Sequence, residues 1–275
     1  MGHQKLESAQ TVAESRNTDK KRNVTVGSVW KSKNYGEFEV VEYIGCKNVK
    51  VRFFDTGFVT KTQAVHVASG NVKDRMAMSV CGVGSVGVGE CPITKNRMAV
   101  KAYGVWRRML ERCYNEKFQS KYQTYIGCTV CQEWHNYQNF ARWYEENYPK
   151  DGGDYELDKD LKIAGNKFYS PDTCMFVSGM VNRFTIDSGA ARGDFMIGVC
   201  FSTSSGKFIS QCSNPINATR ERLGNYKSEL EAHMAWRNRK SELAYELAML
   251  QKNDEVKQAL LNWKGALDNF EIHKI

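Results

Sequence analysis

The densest set of chemistry-bearing side chains lies in Asp154–Asn182, DYELDKDLKIAGNKFYSPDTCMFVSGMVN. Asp158 and Asp160 offer all-oxygen ligands that suit hard cations, so Mg²⁺ or Mn²⁺ is the expected cofactor if the stretch is catalytic. Asn166 could orient those carboxylates or a phosphate, and Asn182 could complete the set. A cation held this way stabilises charge developing on phosphate and supplies bound water for attack. Lys159 between the acids is a cation at neutral pH and is no base unless its pKa falls strongly. The nearest imidazole in sequence is His135, beside Trp134, because residues 136–232 contain no His. It reads as a structural hydrogen-bonding residue, or as the missing base if the fold returns it to Asp158. The spacing alone is equally compatible with a surface turn bearing solvated acids.

A compact frame is expected to carry these groups. Leu157 and Leu161 flank the charged triplet and place it at the end or turn of a buried strand. Gly165-Asn166 signals a turn. Ser170-Pro171-Asp172 reads as a helix start, with Ser170 as N-cap and Pro171 at the first helical position. Strand, turn, strand and helix in about thirty residues make a ββα frame.

The runs LDKD, LKIAGNKFYSPDTC and MFVSGMVN, with Trp106-x-x-Met109-x-x-Arg112-Cys113-Tyr114 and Val130-Cys131-Gln132-Glu133-Trp134 before them, resemble phage-encoded HNH-like proteins, relatives of the ββα-metal homing endonucleases. The resemblance spans roughly 100–185. It implies a metal-dependent DNA endonuclease or nickase, with Asp158 and Asp160 as metal ligands and Asp158, Asp160, Asn166 and His135 as the catalytic set. The family's catalytic His falls near Lys159, so Asp158 or Asp160 would have to act as the base.

Composition sets the bounds. The 275 residues suffice for two or three small domains and a real core. A net charge of +8, from 39 Lys+Arg against 31 Asp+Glu, modestly favours a polyanionic partner. No apolar run of about twenty residues exists, which excludes a helical membrane span. MGHQKLESAQ lacks the apolar core of a signal peptide, and the Cys count is nine, so reduced thiols in a bacterial host cytoplasm are expected.

In chain order, residues 1–23 read as a disordered arm with a basic Lys20–Arg22. Residues 24–75 hold short Val-, Phe- and Thr-rich runs separated by turn signals, a small β barrel or roll. There Val49, Val51 and Phe53 alternate with Lys50, Arg52 and Phe54, one face apolar and one basic or aromatic. Residues 76–97 contain CGVGSVGVGEC, a Gly-rich linker or a segment packed closely on a neighbour; no Lys-Ser/Thr follows to make a phosphate loop. Residues 98–117 form an amphipathic helix, with Arg107, Arg108 and Arg112 as a phosphate clamp or a solvated face. Cys128 and Cys131 form a lone CxxC, so zinc is not expected. The aromatics from Trp134 to Tyr144 recur at helical spacing and read as core.

After a linker at 183–193, Met196–Phe201, Lys207–Cys212 and Ala218–Leu223 read as three strands, the last ended by Gly224, with a long helix from about Lys227. Gly198-Val199, Gly206-Lys207, Leu223-Gly224 and Glu231-Ala232 resemble the AP2 DNA-binding domain. That resemblance implies a three-stranded sheet in the major groove, with Lys207, Gln211, Arg220 and Arg222 at the DNA face. Residues 241–270 read as helical, with Leu243, Leu247 and Leu250 in an apolar stripe that packs on the body or on another chain.

The fold expected is α+β and multi-domain: the β module, a central HNH-like ββα unit over 98–185, and an AP2-like unit with a C-terminal helix over 194–275. Double-stranded DNA is the expected partner. A protein partner could dock on the β module or the C-terminal helix, and no membrane partner is expected. The alternative to the nuclease is an inactive DNA-binding or interaction scaffold, a phage regulator or counter-defence factor. A structural virion component has no positive signal beyond the modular layout.

Overall fold

The computed structural model describes residues 23–186 and 194–272; the expected N-terminal arm and most of the 183–193 linker lie outside them. The architecture is mixed α+β, with several small sheets. The chain divides into two compact units, residues 1–77 and 78–275.

In the first unit, β1 (Val29–Lys31), β2 (Glu37–Gly45), β3 (Asn48–Phe53) and β4 (Val59–Thr62) form an antiparallel sheet in that order, followed by the short α1 (Ala64–Ala68). The alternation in β3 sends Val49, Val51 and Phe53 into a core with Phe38, Val40, Val67 and Val72. Its basic face is neutralised: Lys50 pairs with Glu42, and Arg52 with Glu39, across the β2–β3 ladder.

The second unit opens with the Gly-rich segment, which packs as an extended strip rather than hanging free. Ser85 N–H donates to the His135 carbonyl at 2.9 Å, and Tyr137 N–H to the Ser85 carbonyl at 3.0 Å. At Gly87, φ is +72° and a Cβ would meet the Asn136 side chain at 2.0 Å, so only Gly allows this contact. The small pair β5 (Thr94–Lys95) and β6 (Met98–Ala99) leads into α2 (Lys101–Tyr114) and α3 (Glu116–Lys121). Then come β7 (Thr129–Val130) and α4 (Tyr137–Asn147). Trp106, Met109 and Leu110 of α2 pack with Trp134, Tyr137 and Phe140, so the aromatic stripe is core.

β8 (Tyr155–Asp158) ends at the charged triplet, as its flanking leucines require. β9 (Phe168–Tyr169) pairs in parallel with β7. The partner of β8 is β10 (Met175–Ser178), antiparallel, and the helix is α5 (Gly179–Thr185), capped by Ser178. Ser170 therefore starts no helix. Its hydroxyl accepts the Thr173 N–H at 3.3 Å in a single capped turn. The buried run Cys174–Val177 then takes the extended pairing, because both faces of that strand have apolar surface to cover.

Those two faces join two cores. Leu157 and Phe176 point into the aromatic core of α2 and α4. Met175 and Val177 point the other way, into a core completed by the C-terminal helices. β11 (Val199–Ser202), β12 (Lys207–Asn214) and β13 (Thr219–Tyr226) form an antiparallel sheet in sequential order. β13 runs through Gly224 instead of ending there, with a register shift opposite Ser210/Gln211. α6 (Glu229–Met249) starts at a capping box of Ser228 and Glu231. The expected single C-terminal helix breaks at Leu250–Asn253, where Asn253 caps α7 (Asp254–Asp268). Lys240 of α6 ties α5 in: its ammonium donates to the Phe184 carbonyl at 2.7 Å and lies 3.6 Å from the Phe184 ring centroid. No helix among the described residues is long and apolar enough to cross a membrane.

Candidate nucleic-acid interface

The Asp158–Asn166 loop is closed on itself. Asp158 Oδ1 accepts the N–H groups of Asp160 at 2.9 Å and Leu161 at 2.7 Å, the turn an Asp favours where a strand ends. Burial raises its carboxyl above the usual range, against the lowering effect of the Leu161 N–H. Lys159 is 6% exposed. Its ammonium donates to Asp160 Oδ1 at 2.5 Å and to the Asn166 carbonyl at 2.6 Å, 5.8 Å from the Tyr169 ring centroid. Asn166 Nδ2 donates to the carbonyls of Lys159, at 2.9 Å, and Phe168, at 2.7 Å. Asn182 donates to Glu156, not to either aspartate.

His135 stays apart from these groups. Its Nε2 lies 3.3 Å from the Tyr114 hydroxyl, which itself accepts the Val130 N–H at 3.0 Å. The ring thus sits at the edge of the aromatic core, edge-on to Tyr114. The four residues expected as a catalytic set are thus brought together only in part: Asp158 Oδ1 accepts the Asp160 N–H, Asp160 and Asn166 meet through Lys159, and His135 bonds elsewhere. The Lys159 ammonium holds Asp160 Oδ1 and the Asn166 backbone carbonyl, and so competes there with a cation such as Mg²⁺ or Mn²⁺. Among the described residues no group of three or more His, Cys, Asp or Glu stands close enough to hold a metal. Cys128 and Cys131 are buried thiols; burial pushes Cys131 up to about 11.

The β11–β13 sheet has the opposite character. Ser210, Cys212 and Asn214 of β12 are buried, which places Lys207, Ile209, Gln211 and Ser213 on the outer face. Gln211 pairs with Arg222 and Ser213 with Arg220. The register shift adds Leu223 on the inner side, so that Arg222 and Asn225 both face outward and Arg222 Nη2 donates to Asn225 Oδ1 at 2.8 Å. Lys207, Arg220 and Arg222 are exposed, and Gln211 is half-buried. None of the three cations has an ion pair among the described residues. The sheet brings all four expected DNA-face residues onto one surface.

Glu221 is the only acid in these three strands, and it faces α6. It accepts from Arg239 Nε at 2.7 Å and from Asn214 Nδ2 at 2.7 Å. These bonds, that from Arg239 foremost, hold its carboxyl well below the usual range, at about 2. The reading from sequence missed this tie. Its one signal was the position of Glu221 between two outward arginines, which the strand period sends inward.

The three arginines of α2 separate. Arg107 and Arg108 are exposed, whereas Arg112 is half-buried with its guanidinium 5.3 Å from the Tyr125 ring centroid. A three-arginine clamp is not formed. At the packed start of β11, Gly198 adopts φ +81° where a Cβ would meet Trp236 at 2.1 Å, fixing the sheet on α6.

No family model matches the chain, and comparisons with curated proteins and with solved structures found no match.

Proposed function

We propose that the protein binds double-stranded DNA through the outer face of β11–β13, and that the ββα hairpin serves as its scaffold rather than as a nuclease centre. The observation that carries the reading is the charge division of the sheet. No cation on its outer face is in an ion pair among the described residues, and its one carboxylate is turned inward and neutralised by Arg239. A surface so arranged attracts phosphate without internal competition, and Arg222 and Gln211, side by side on paired strands, suit base edges in a major groove. The AP2-like and HNH-like names for the two parts rest on their sequence motifs, and this reading uses both: one part to read DNA, the other to hold it. Lys159 supports the scaffold half, since its ammonium consumes Asp160 and Asn166.

The test is a salt titration of duplex binding. Arg220→Ala with Arg222→Ala should weaken binding, and loss of the Arg220 phosphate contact should flatten the slope of log K against log salt by about 0.9. An unchanged slope would remove the sheet as the contact surface. Incubation with supercoiled plasmid carrying the natural target in Mg²⁺ or Mn²⁺ tests the scaffold half. Nicking abolished by Asp158→Ala, with binding intact, would restore the nuclease.

A further inference from the structure

A second surface in the same unit has a different chemistry. Tyr122, Ile126 and Phe168 are large apolar side chains 43%, 56% and 42% exposed. They come from two segments, 121–126 and 166–169, held side by side: Thr129 N–H donates to the Lys167 carbonyl at 2.8 Å, and the Lys167 ammonium to the Thr124 carbonyl. Lys121 and Lys167 flank the aromatics, the former 5.2 Å from the Tyr122 ring centroid, and neither is in an ion pair among the described residues. The neighbouring acid, Asp160, is already held by Lys159.

Phe168 is presented by a rigid mount. Its N–H donates to Asn166 Oδ1 at 3.0 Å, and its carbonyl accepts from Asn166 Nδ2 at 2.7 Å and Thr173 Oγ1 at 2.7 Å. Tyr122 is backed by Phe118, ring centroids 4.7 Å apart. Both residues thus stay partly exposed on ordered supports. Exposed aromatics beside lysines whose charge no carboxylate neutralises among the described residues match the chemistry of an unpaired nucleic-acid strand, whose bases stack and whose phosphates seek cations.

We propose that this surface binds single-stranded nucleic acid, with unpaired bases stacked on Tyr122 and Phe168 and the backbone on Lys121 and Lys167. An acidic peptide would use the lysines but gain nothing from planar stacking. The proposal is independent of the duplex reading, and the variants separate the two.

The experiment follows fluorescence anisotropy of labelled oligothymidylate, its ribo-counterpart and a duplex of the same length, with the full chain. The strand should bind. Tyr122→Ala and Phe168→Ala should each weaken it about tenfold, in line with the stacking contribution of one base. Tyr122→Trp and Phe168→Trp should keep it. Lys121→Gln with Lys167→Gln should flatten its salt slope by about 1.4. The Arg220→Ala, Arg222→Ala protein should retain strand binding even where duplex binding is lost. Failure of the wild type to bind either strand, or equal losses in the Ala and Trp variants, would overturn the proposal. Stronger binding of the ribo-strand would assign RNA as the source of the ligand.

Discussion

The loop after β8 and the outer face of β11–β13 carry comparable densities of polar side chains and use them in opposite ways. In the loop, Asp158, Lys159 and Asn166 spend their hydrogen bonds on one another and on nearby backbone groups. On the sheet, Lys207 and Arg220 have no partner among the described residues, and the one acid is turned to the other face. A buried ammonium must be satisfied internally, because leaving it unpaired away from water is costly. An exposed guanidinium has water as its partner and remains free to exchange it for phosphate. The loop's charges are thus satisfied within the chain, whereas those of Lys207 and Arg220 face solvent.

If the proposed function holds, loop substitutions should act on stability and sheet substitutions on DNA affinity. The largest effect is expected from Phe176→Ala. Phe176 is 4% exposed and packs on Trp143, Tyr144 and Tyr148. Its loss should cost about 3–5 kcal/mol in urea unfolding. Lys159→Met keeps the apolar stem and removes the ammonium; about 2 kcal/mol should be lost, as for other hydrogen bonds to a charged group. If Lys159→Met instead left stability unchanged and removed DNA binding, the division between scaffold and interface would be broken. The Arg220→Ala, Arg222→Ala protein should melt within about 0.5 kcal/mol of the wild type, as surface substitutions do.

The smallest effects concern pH, and the two regions should differ in sign. Asp158 has a raised carboxyl pKa in the fold, so its contribution is present below the ordinary Asp value and is lost as pH rises through the raised one. Asp158→Asn keeps an Oδ1 acceptor and should gain on the wild type as pH rises above the ordinary Asp value. Glu221, lowered to about 2 chiefly by Arg239, contributes above the ordinary Glu value and loses that contribution as pH falls through about 2. Glu221→Gln should therefore be less stable than the wild type at pH 7 and converge with it towards pH 2. Thermal melts across this range check both, and slopes of the same sign would contradict the contrast.

The amino-acid order by itself determined what is local. Alternation in Asn48–Phe53 set which side chains face a core, since successive strand residues point to opposite faces. The aromatic spacing through α4 set its buried stripe. The run from β8 to Asn182 marked a hairpin and helix, turn signals marked the three C-terminal strands, and their outer residues were named through the AP2 resemblance. Only tertiary structure decided the pairing of β8 with Met175–Ser178, because a short apolar run takes whichever partner covers both its faces. Only it showed Lys159 turned inward onto the Asn166 carbonyl, seven residues along the chain. It alone brought Glu221 to Arg239 and Lys167 to Thr124, which lie 18 and 43 residues apart. A side chain's identity and period say which face it occupies; whether its charge is consumed or left open depends on partners that only the folded chain brings within hydrogen-bond reach.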